Sequence, residues 1–238
     1  FVKGNNGTVL QFSLFHILEL SNNTILDSIM VGDSPALMTH DSNQKLLYIS
    51  RMMPMNGMMG MPESESNKIQ VLDYSSDSLI SLTDFELPAP APHGLDLSDN
   101  GMYLFVASNT SDWVYKIDTS TGEIIAEIYL PDPENPFGPE EINYYKPIQL
   151  KYFNQHIFIS CSAGKFYNGQ TEVNIPGKLV VLNSEDLSII TVYEFSWTSS
   201  PWHLSIDEST SEIFIALAGD MGNMGTSGVA SLSFLENE

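Results

Sequence analysis

Methionines crowd one short segment of this chain at a spacing that could bind a soft metal ion. Six of them fall within ten residues: Met52, Met53, Met55, Met58, Met59 and Met61. Met-x-x-Met spacings let one loop offer several thioether sulfurs to a single ion, and thioethers suit Cu(I). Met221 and Met224 occur in the equivalent loop of another repeat unit, and His93 could add an imidazole. The alternative is an apolar loop that packs against irregular surfaces, a role that methionine also suits.

A second group of side chains, aromatic and basic, lies near the same loops and could contact a protein or a small ligand. Its members are Arg51, Tyr144, Tyr145, Lys165, Tyr167 and Trp202. The long loop before Pro147 also carries four carboxylates: Asp132, Glu134, Glu140 and Glu141. Acidic and aromatic groups on one loop could contact a carbohydrate or hold Ca²⁺. Because their spacing matches no calcium-loop pattern, a solvated acidic loop is the favoured interpretation.

No set of catalytic residues can be identified. The chain lacks HExxH, paired CxxC and CxxCH, which excludes zinc-protease, zinc-ribbon and covalent haem motifs. Its one cysteine, Cys161, lies in an apolar strand with no base beside it in the sequence, so we expect a buried structural thiol. The sequence therefore favours a binding role over an enzyme and leaves the enzyme hypothesis open.

Charge narrows the class of partner. The 238 residues include 30 acidic and 9 basic side chains, for a net charge of −21. Such a surface repels phosphate backbones, so nucleic-acid binding is excluded. The apolar stretch Val9 to Leu20 is short and interrupted by polar residues, so we expect no membrane insertion.

The elements that position these residues belong to a degenerate repeat. Four units begin at Pro35, Pro92, Pro147 and Pro201, at separations of 57, 55 and 54 residues. The clearest copy predicts four strands: Gly94 to Leu97, Met102 to Ala107, Trp113 to Ile117 and Ile124 to Ile128. Four-stranded sheets repeated in this way indicate propeller blades.

The predicted fold class is therefore all-β, a β-propeller of four-stranded antiparallel blades with about four to five blades present. A single domain over residues 1–238 would comprise a partial blade at 1–32, blades at about 33–88, 89–131 and 145–198, and a partial blade at 199–238. Either the two partial blades combine and close a small ring, or the propeller is incomplete and further blades come from a longer chain. An incomplete ring would expose sheet faces and edges and favour self-association.

The clearest repeat contains several short motifs: Pro92, Gly94 and Leu95, the Ser-Asp-Asn-Gly turn at 98–101, the run at 104–109, and the Ile117-Asp118 to Thr121-Gly122 hairpin. In these residues it resembles the YVTN-type repeat of bacterial secreted propellers, a set related to lactonase-like and haem-nitrite-reductase-like propellers. This resemblance implies a secreted, periplasmic or cell-surface protein. It specifies a scaffold and no reaction.

In such a blade, the loop before the first strand and the loop between the second and third strands share one face. The longest loops of this chain take those positions: Arg51 to Lys68, Leu130 to Pro147, Gly164 to Lys178 and Ala218 to Gly228. Three functions follow as hypotheses: a scaffold that binds a protein or small ligand on this face, a copper-binding or copper-delivery protein, and a lactonase-like hydrolase. The third has no catalytic residues to support it and ranks last.

Overall fold

Short strands joined by polar turns make up every regular element that the structure describes. The computed structural model describes residues 2–3, 9–10, 13–19, 21–31, 35–51, 67–76, 78–131, 145–168, 171–220 and 227–234. Within these ranges there is no helix, and hence none long and apolar enough to cross a membrane. The chain forms two compact units, unit 1 at residues 1–92 and unit 2 at residues 93–238.

The described residues of unit 1 form three antiparallel sheets. Two are two-stranded and pair β1 (Val2–Lys3) with β2 (Val9–Leu10), and β3 (Ser13–Glu19) with β4 (Thr24–Val31). The third contains β5 (Pro35–Asp41), β6 (Leu46–Arg51), β7 (Lys68–Asp73), β8 (Ile80–Ser81) and β9 (Phe85–Glu86). Both β8 and β9 pair with β7, so the fourth strand of this sheet is split in two.

The described residues of unit 2 form three successive blades, named A, B and C, and one further two-stranded sheet. Blade A contains β10 (Pro92–Leu97), β11 (Tyr103–Ser108), β12 (Trp113–Asp118) and β13 (Ile124–Tyr129). Blade B contains β14 (Pro147–Phe153), β15 (His156–Cys161), β18 (Lys178–Asn183) and β19 (Ile189–Glu194), and the hairpin of β16 (Gly164–Asn168) and β17 (Thr171–Ile175) is inserted between β15 and β18. Blade C contains β20 (Pro201–Asp207), β21 (Glu212–Leu217) and β22 (Gly228–Ser233).

Aspartate side chains shape many of the turns. Oδ1 of Asp118 accepts hydrogen bonds from the backbone N–H of Ser120 at 2.8 Å and of Thr121 at 3.2 Å. Oδ1 of Asp207 accepts the N–H of Ser209 in the same way, at 3.0 Å. The hydroxyl groups of Ser120 and Ser209 also donate to these carboxylates, at 2.6 Å in each case. The hydroxyl bonds first, and the backbone bonds after them, lower the pKa of both carboxyl groups, because they favour the charged form.

The apolar faces of the blades in unit 2 pack against one another. Between blades A and B, Phe105, Ala107 and Val114 lie in the same buried cluster as Ile157 and Ile159. Between blades B and C, an equivalent cluster contains Phe158, Leu179, Val181, Leu204, Ile213 and Ile215. Burial on both sides explains why second and third strands are nearly continuous apolar runs.

The predicted fold class, an all-β propeller of antiparallel blades, is confirmed. Blades A and B each have the four predicted strands, and the described residues of blade C form three. One prediction is wrong in detail: the segment Gly164 to Lys178, predicted to be a loop, contains the strands β16 and β17. No finding tests the blade boundaries, the single-domain assignment or the choice between a closed and an incomplete ring, which stay predictions.

Candidate functional site

The strands of blades B and C begin and end in the same register at one end of each blade. In blade B, Pro147 at the start of the first strand pairs with Cys161 at the end of the second, which pairs with Lys178 at the start of the third. Blade C repeats this register with Pro201, Leu217 and Gly228. The start of each first strand and of each third strand and the end of each second strand therefore lie at the same end of the blades, named here the loop end.

The first strands of blades A and B approach very closely at the loop end. A Cβ added to Gly94 would lie 2.8 Å from the backbone N of Leu150 and 2.9 Å from the carbonyl carbon of Gln149. Real Cβ atoms essentially never come this close to backbone, so only glycine fits here. The glycine therefore fixes the distance between the two strands.

Gln149, also at the loop end, joins blades B and C through hydrogen bonds. Its Oε1 accepts the backbone N–H of Leu204 at 2.6 Å and the Nδ1–H of His203 at 3.2 Å. The Ser160 hydroxyl donates to the carbonyl oxygen of Trp202 and so adds a second bond between these blades. The starts of the first strands are thus held rigidly with respect to each other.

His93 lies buried beside this junction. Its Nδ1–H donates to the carbonyl oxygen of Ile148 at 2.5 Å. Burial lowers the pKa of the imidazole, the bond to Ile148 opposes that effect, and the nearby His203 adds to the lowering. The ring is therefore neutral at pH 7, the form that can ligate a metal.

Trp202 and His203 lie on the surface at the start of blade C. Their rings contact each other edge to face, with centroids 6.4 Å apart. An exposed indole beside an imidazole provides both an apolar surface and a polar edge, a combination common in binding sites.

Asp112 positions the connection into blade B. The buried carboxylate accepts the backbone N–H groups of Tyr145 at 3.2 Å and Lys146 at 2.8 Å. Lys178 then lies with Nζ 5.2 Å from the centre of the Tyr145 ring and forms a 2.8 Å ion pair with Glu194. Burial raises the pKa of the Tyr145 hydroxyl and lowers that of Lys146, with the charge of Asp112 acting against the latter shift.

The β16–β17 hairpin extends the loop end of blade B. It is named here the arm. Gly164 pairs with Ile175 at its base, and Asn168 with Thr171 near its tip. Exposed Lys165 lies 3.4 Å from Glu172 on the opposite strand and 5.2 Å from the centre of the Trp197 ring. Trp197 belongs to the connection between blades B and C, so the arm rests on the blade junction.

The predicted site residues fall into three groups. Within unit 2, the described side chains of His93, Tyr145, Lys165 and Trp202 all lie at the loop end. Arg51 lies at the end of β6 in unit 1 and is buried. The remaining predictions lie outside the described residues or, for Tyr167, outside the described side chains: Met52, Met55, Met58, Met59, Met61, Tyr144, Met221 and Met224.

Metal-binding and nucleophilic groups can be compared only among the described residues, which do not include the methionine loop. These residues contain no group of three or more His, Cys, Asp or Glu side chains arranged to hold a metal ion. Cys161 is fully buried, and burial raises the pKa of its thiol well above the ordinary value, which suppresses the thiolate.

Sequence reasoning missed two residues that organise the loop end, Gln149 and Asp112. Gln149 occupies the repeat position of Gly94 and His203, two residues after the first-strand proline, so laying the repeats over one another could have indicated it. Asp112 has no equivalent in the other units, and no local pattern marks it.

Comparison with known proteins assigns the class. No family model and no curated protein sequence matches this chain. Hydrazine synthase from Kuenenia stuttgartiensis superposes with a TM-score of 0.64 at 13% identity, over 91% of this chain and 59% of that one. The computationally designed Ika4 protein gives 0.57 at 9% identity, over 88% of this chain and 98% of that one.

A structure of the mitotic checkpoint complex also matches, with a TM-score of 0.61 at 11% identity, over 93% of this chain and 55% of the matched one. These identities show the fold alone. Together with the blades described above, they define a β-propeller protein. The chain spans about three-fifths of the hydrazine synthase chain that it matches.

Proposed function

We propose that this protein is a non-catalytic propeller scaffold, secreted, periplasmic or on the cell surface, that binds a protein or small ligand at the loop end of unit 2. The observation that supports this most directly is the arm. Neither of the other blades of unit 2 has, among its described residues, a hairpin between its second and third strands. Insertions on one face of a repeat protein usually build its binding surface.

The surroundings of the arm suit recognition better than catalysis. Lys165 offers an exposed ammonium group beside the Trp197 ring, while Trp202 and His203 offer aromatic surface at the next blade. The bonds of Gln149 and Asp112 keep this surface rigid, and pre-organisation reduces the entropy lost on binding. The YVTN-type resemblance supports a location outside the cytoplasm.

Matched lysine variants test the proposal. The side chains of Lys165 and Lys151 are similarly accessible, at 41% and 37%, and each pairs with a carboxylate at 3.4 Å, but Lys151 lies on β14 and pairs with Asp96. Four immobilised proteins would capture ligands from the extracellular fraction of the source cells: wild type, Lys165→Ala, Lys151→Ala, and an arm shortened by replacing residues 167–172 with Asn-Gly.

A ligand of this site is retained by wild type and Lys151→Ala, is lost on shortening the arm, and binds Lys165→Ala more weakly in calorimetry. Capture of the same molecules by all four proteins would refute the proposal. Circular dichroism on each variant checks that the blades have folded.

Copper binding is the second candidate, and the methionine spacing is the observation that favours it. A buried, neutral His93 at the loop end of blade A has the protonation state that a ligand needs. Lactonase-like hydrolysis stays a prediction with a direct test, a panel of lactones and esters in which hydrolysis depends on one loop-end residue.

A further inference from the structure

Blade C exposes a face that its sister blades bury. The third residue of the second strand is aromatic in all four repeats: Tyr48, Phe105, Phe158 and Phe214. The first three are 0 to 1% exposed, whereas Phe214 is 38% exposed. Phe214 is therefore an aromatic side chain at a position that is buried in the other repeats, but here it is exposed to solvent.

The third strands repeat this contrast. Their second residues are Ile69, Val114, Leu179 and Val229. The first three are fully buried, and Val229 is 71% exposed. Because Phe214 and Val229 lie on the same face as Ala216, with Val229 directly paired to Ala216 across β21 and β22, the exposed positions form one continuous surface. We name Ser205, Phe214, Ala216, Val229 and Ser231 the forward face of blade C.

The equivalent faces in unit 2 show what such a surface binds. Phe105 and Val114 of blade A pack on the aliphatic side of blade B, at Ile157 and Ile159. Phe158 and Leu179 of blade B pack on the aliphatic side of blade C. In each blade-to-blade contact, one blade therefore contributes its forward face, and the next blade contributes its opposite, aliphatic side.

The chain itself exposes a surface of the complementary kind in unit 1. One face of the β3–β4 hairpin packs through Ile29 and Val31 on the third sheet of that unit. Its opposite face is exposed at Leu26, Ser28 and Met30. We name these three residues the hairpin face.

Both faces are uncharged, which is unusual in a chain with a net charge of −21. The five residues of the forward face carry no charge, and Glu212 and Asp207 lie only at its margin near the turns. The hairpin face has no charged residue, and its Ser28 hydroxyl bonds to His16 Nδ1 at 2.6 Å. Burying these faces against each other removes apolar surface from water without desolvating a carboxylate.

We propose that the forward face of blade C docks on the hairpin face of a second copy of this chain, in a head-to-tail contact that repeats the blade-to-blade contact of unit 2. Such a heterologous contact closes into a ring or continues as an open chain of copies. The two copies repel each other through their net charge, so salt strengthens the association by screening that repulsion.

Sedimentation velocity of the 238-residue chain tests this proposal. At concentrations in the tens of micromolar, we expect species of at least twice the chain mass of 26.4 kDa. The double variant Phe214→Ser with Val229→Ser should raise the dissociation constant at least about tenfold, as loss of a central contact pair does. Met30→Ser should act in the same direction from the other side of the contact.

The control removes as much exposed apolar surface elsewhere. Ile125→Ser with Ile190→Ser changes two residues that are about half exposed on the fourth strands of blades A and B, and the association should be unchanged. If circular dichroism shows that the double variant does not fold, the single variant Val229→Ser, at the most exposed position, replaces it in the test. A monomer at all concentrations, equal weakening by the control, or association that weakens with salt would each overturn the proposal.

Discussion

Replacing Gly94 with alanine should separate blades A and B at the loop end. The new methyl carbon would lie 2.8 Å from Leu150 N and 2.9 Å from the carbonyl carbon of Gln149. Both neighbours are backbone atoms of a paired strand and cannot rotate away, so the strands must move apart by several tenths of an ångström. Overpacking of this kind costs about 2 kcal/mol. The shift also lengthens the bond from His93 to the Ile148 carbonyl.

Differential scanning calorimetry measures this cost, with Gly228→Ala as the control. A Cβ on Gly228 meets no atom within 4 Å. Unit 2 spans residues 93–238, and for a unit of that size 2 kcal/mol corresponds to a fall in Tm of about 4–8 °C. The control should stay within about 0.5 kcal/mol of wild type. Equal melting temperatures for the two variants would refute the claim that the close approach of the first strands holds the loop end together.

Three further predictions address other features. Gln149→Ala removes the side-chain oxygen that accepts the N–H of Leu204, so the free energy of unfolding in urea should fall by about 1–3 kcal/mol. The control Met102→Ala, on the exposed surface of blade A, should lower it by less than about 0.5 kcal/mol. Equal losses of stability in the two variants would contradict the bridging role of Gln149. The pKa of Asp118 is lower in the folded protein than in the unfolded chain, so its ionised carboxylate stabilises the fold above the unfolded pKa of about 4. This contribution is lost as the pH falls through the lower pKa of the folded state. The Tm of Asp118→Asn should therefore lie below that of wild type at neutral pH and converge with it in acid; a gap that is constant with pH would argue against the carboxylate. If the methionine loop binds Cu(I), replacing its methionines between residues 52 and 61 with leucine should abolish stoichiometric copper in metal analysis, and unchanged copper would exclude the loop.

The clearest repeat shows how much of a blade its sequence can predict. All four strands of blade A were predicted within two residues of their ends. The turn between its third and fourth strands combines Asp118, which binds the turn N–H groups, with Gly122, which adopts a positive φ of 75°. Local chemistry of this strength determines where a strand ends without help from the rest of the fold.

The arm and the Gln149 bridge were beyond prediction for a different reason. The arm has few apolar residues in alternation and contains Gly169, so its sequence reads as a loop. Its pairing depends on a base fixed by β15 and β18 and on Trp197 packed against Lys165. Gln149 is ordinary on its own strand, and its importance comes from Leu204 and His203 on the next blade. Contacts between residues about 55 positions apart cannot be derived from local pattern.

The positions of the aspartates in the structure explain part of the negative charge of the chain. Asp41, Asp73, Asp118, Asp186 and Asp207 each accept backbone N–H groups within their own turns. These carboxylates shape hairpins, so their number follows from the number of turns in a repeat fold. The charge of these five residues therefore has a structural explanation that needs no cationic ligand. The informative surfaces are those where the charge is missing, and the forward face of blade C and the hairpin face of unit 1 are such surfaces.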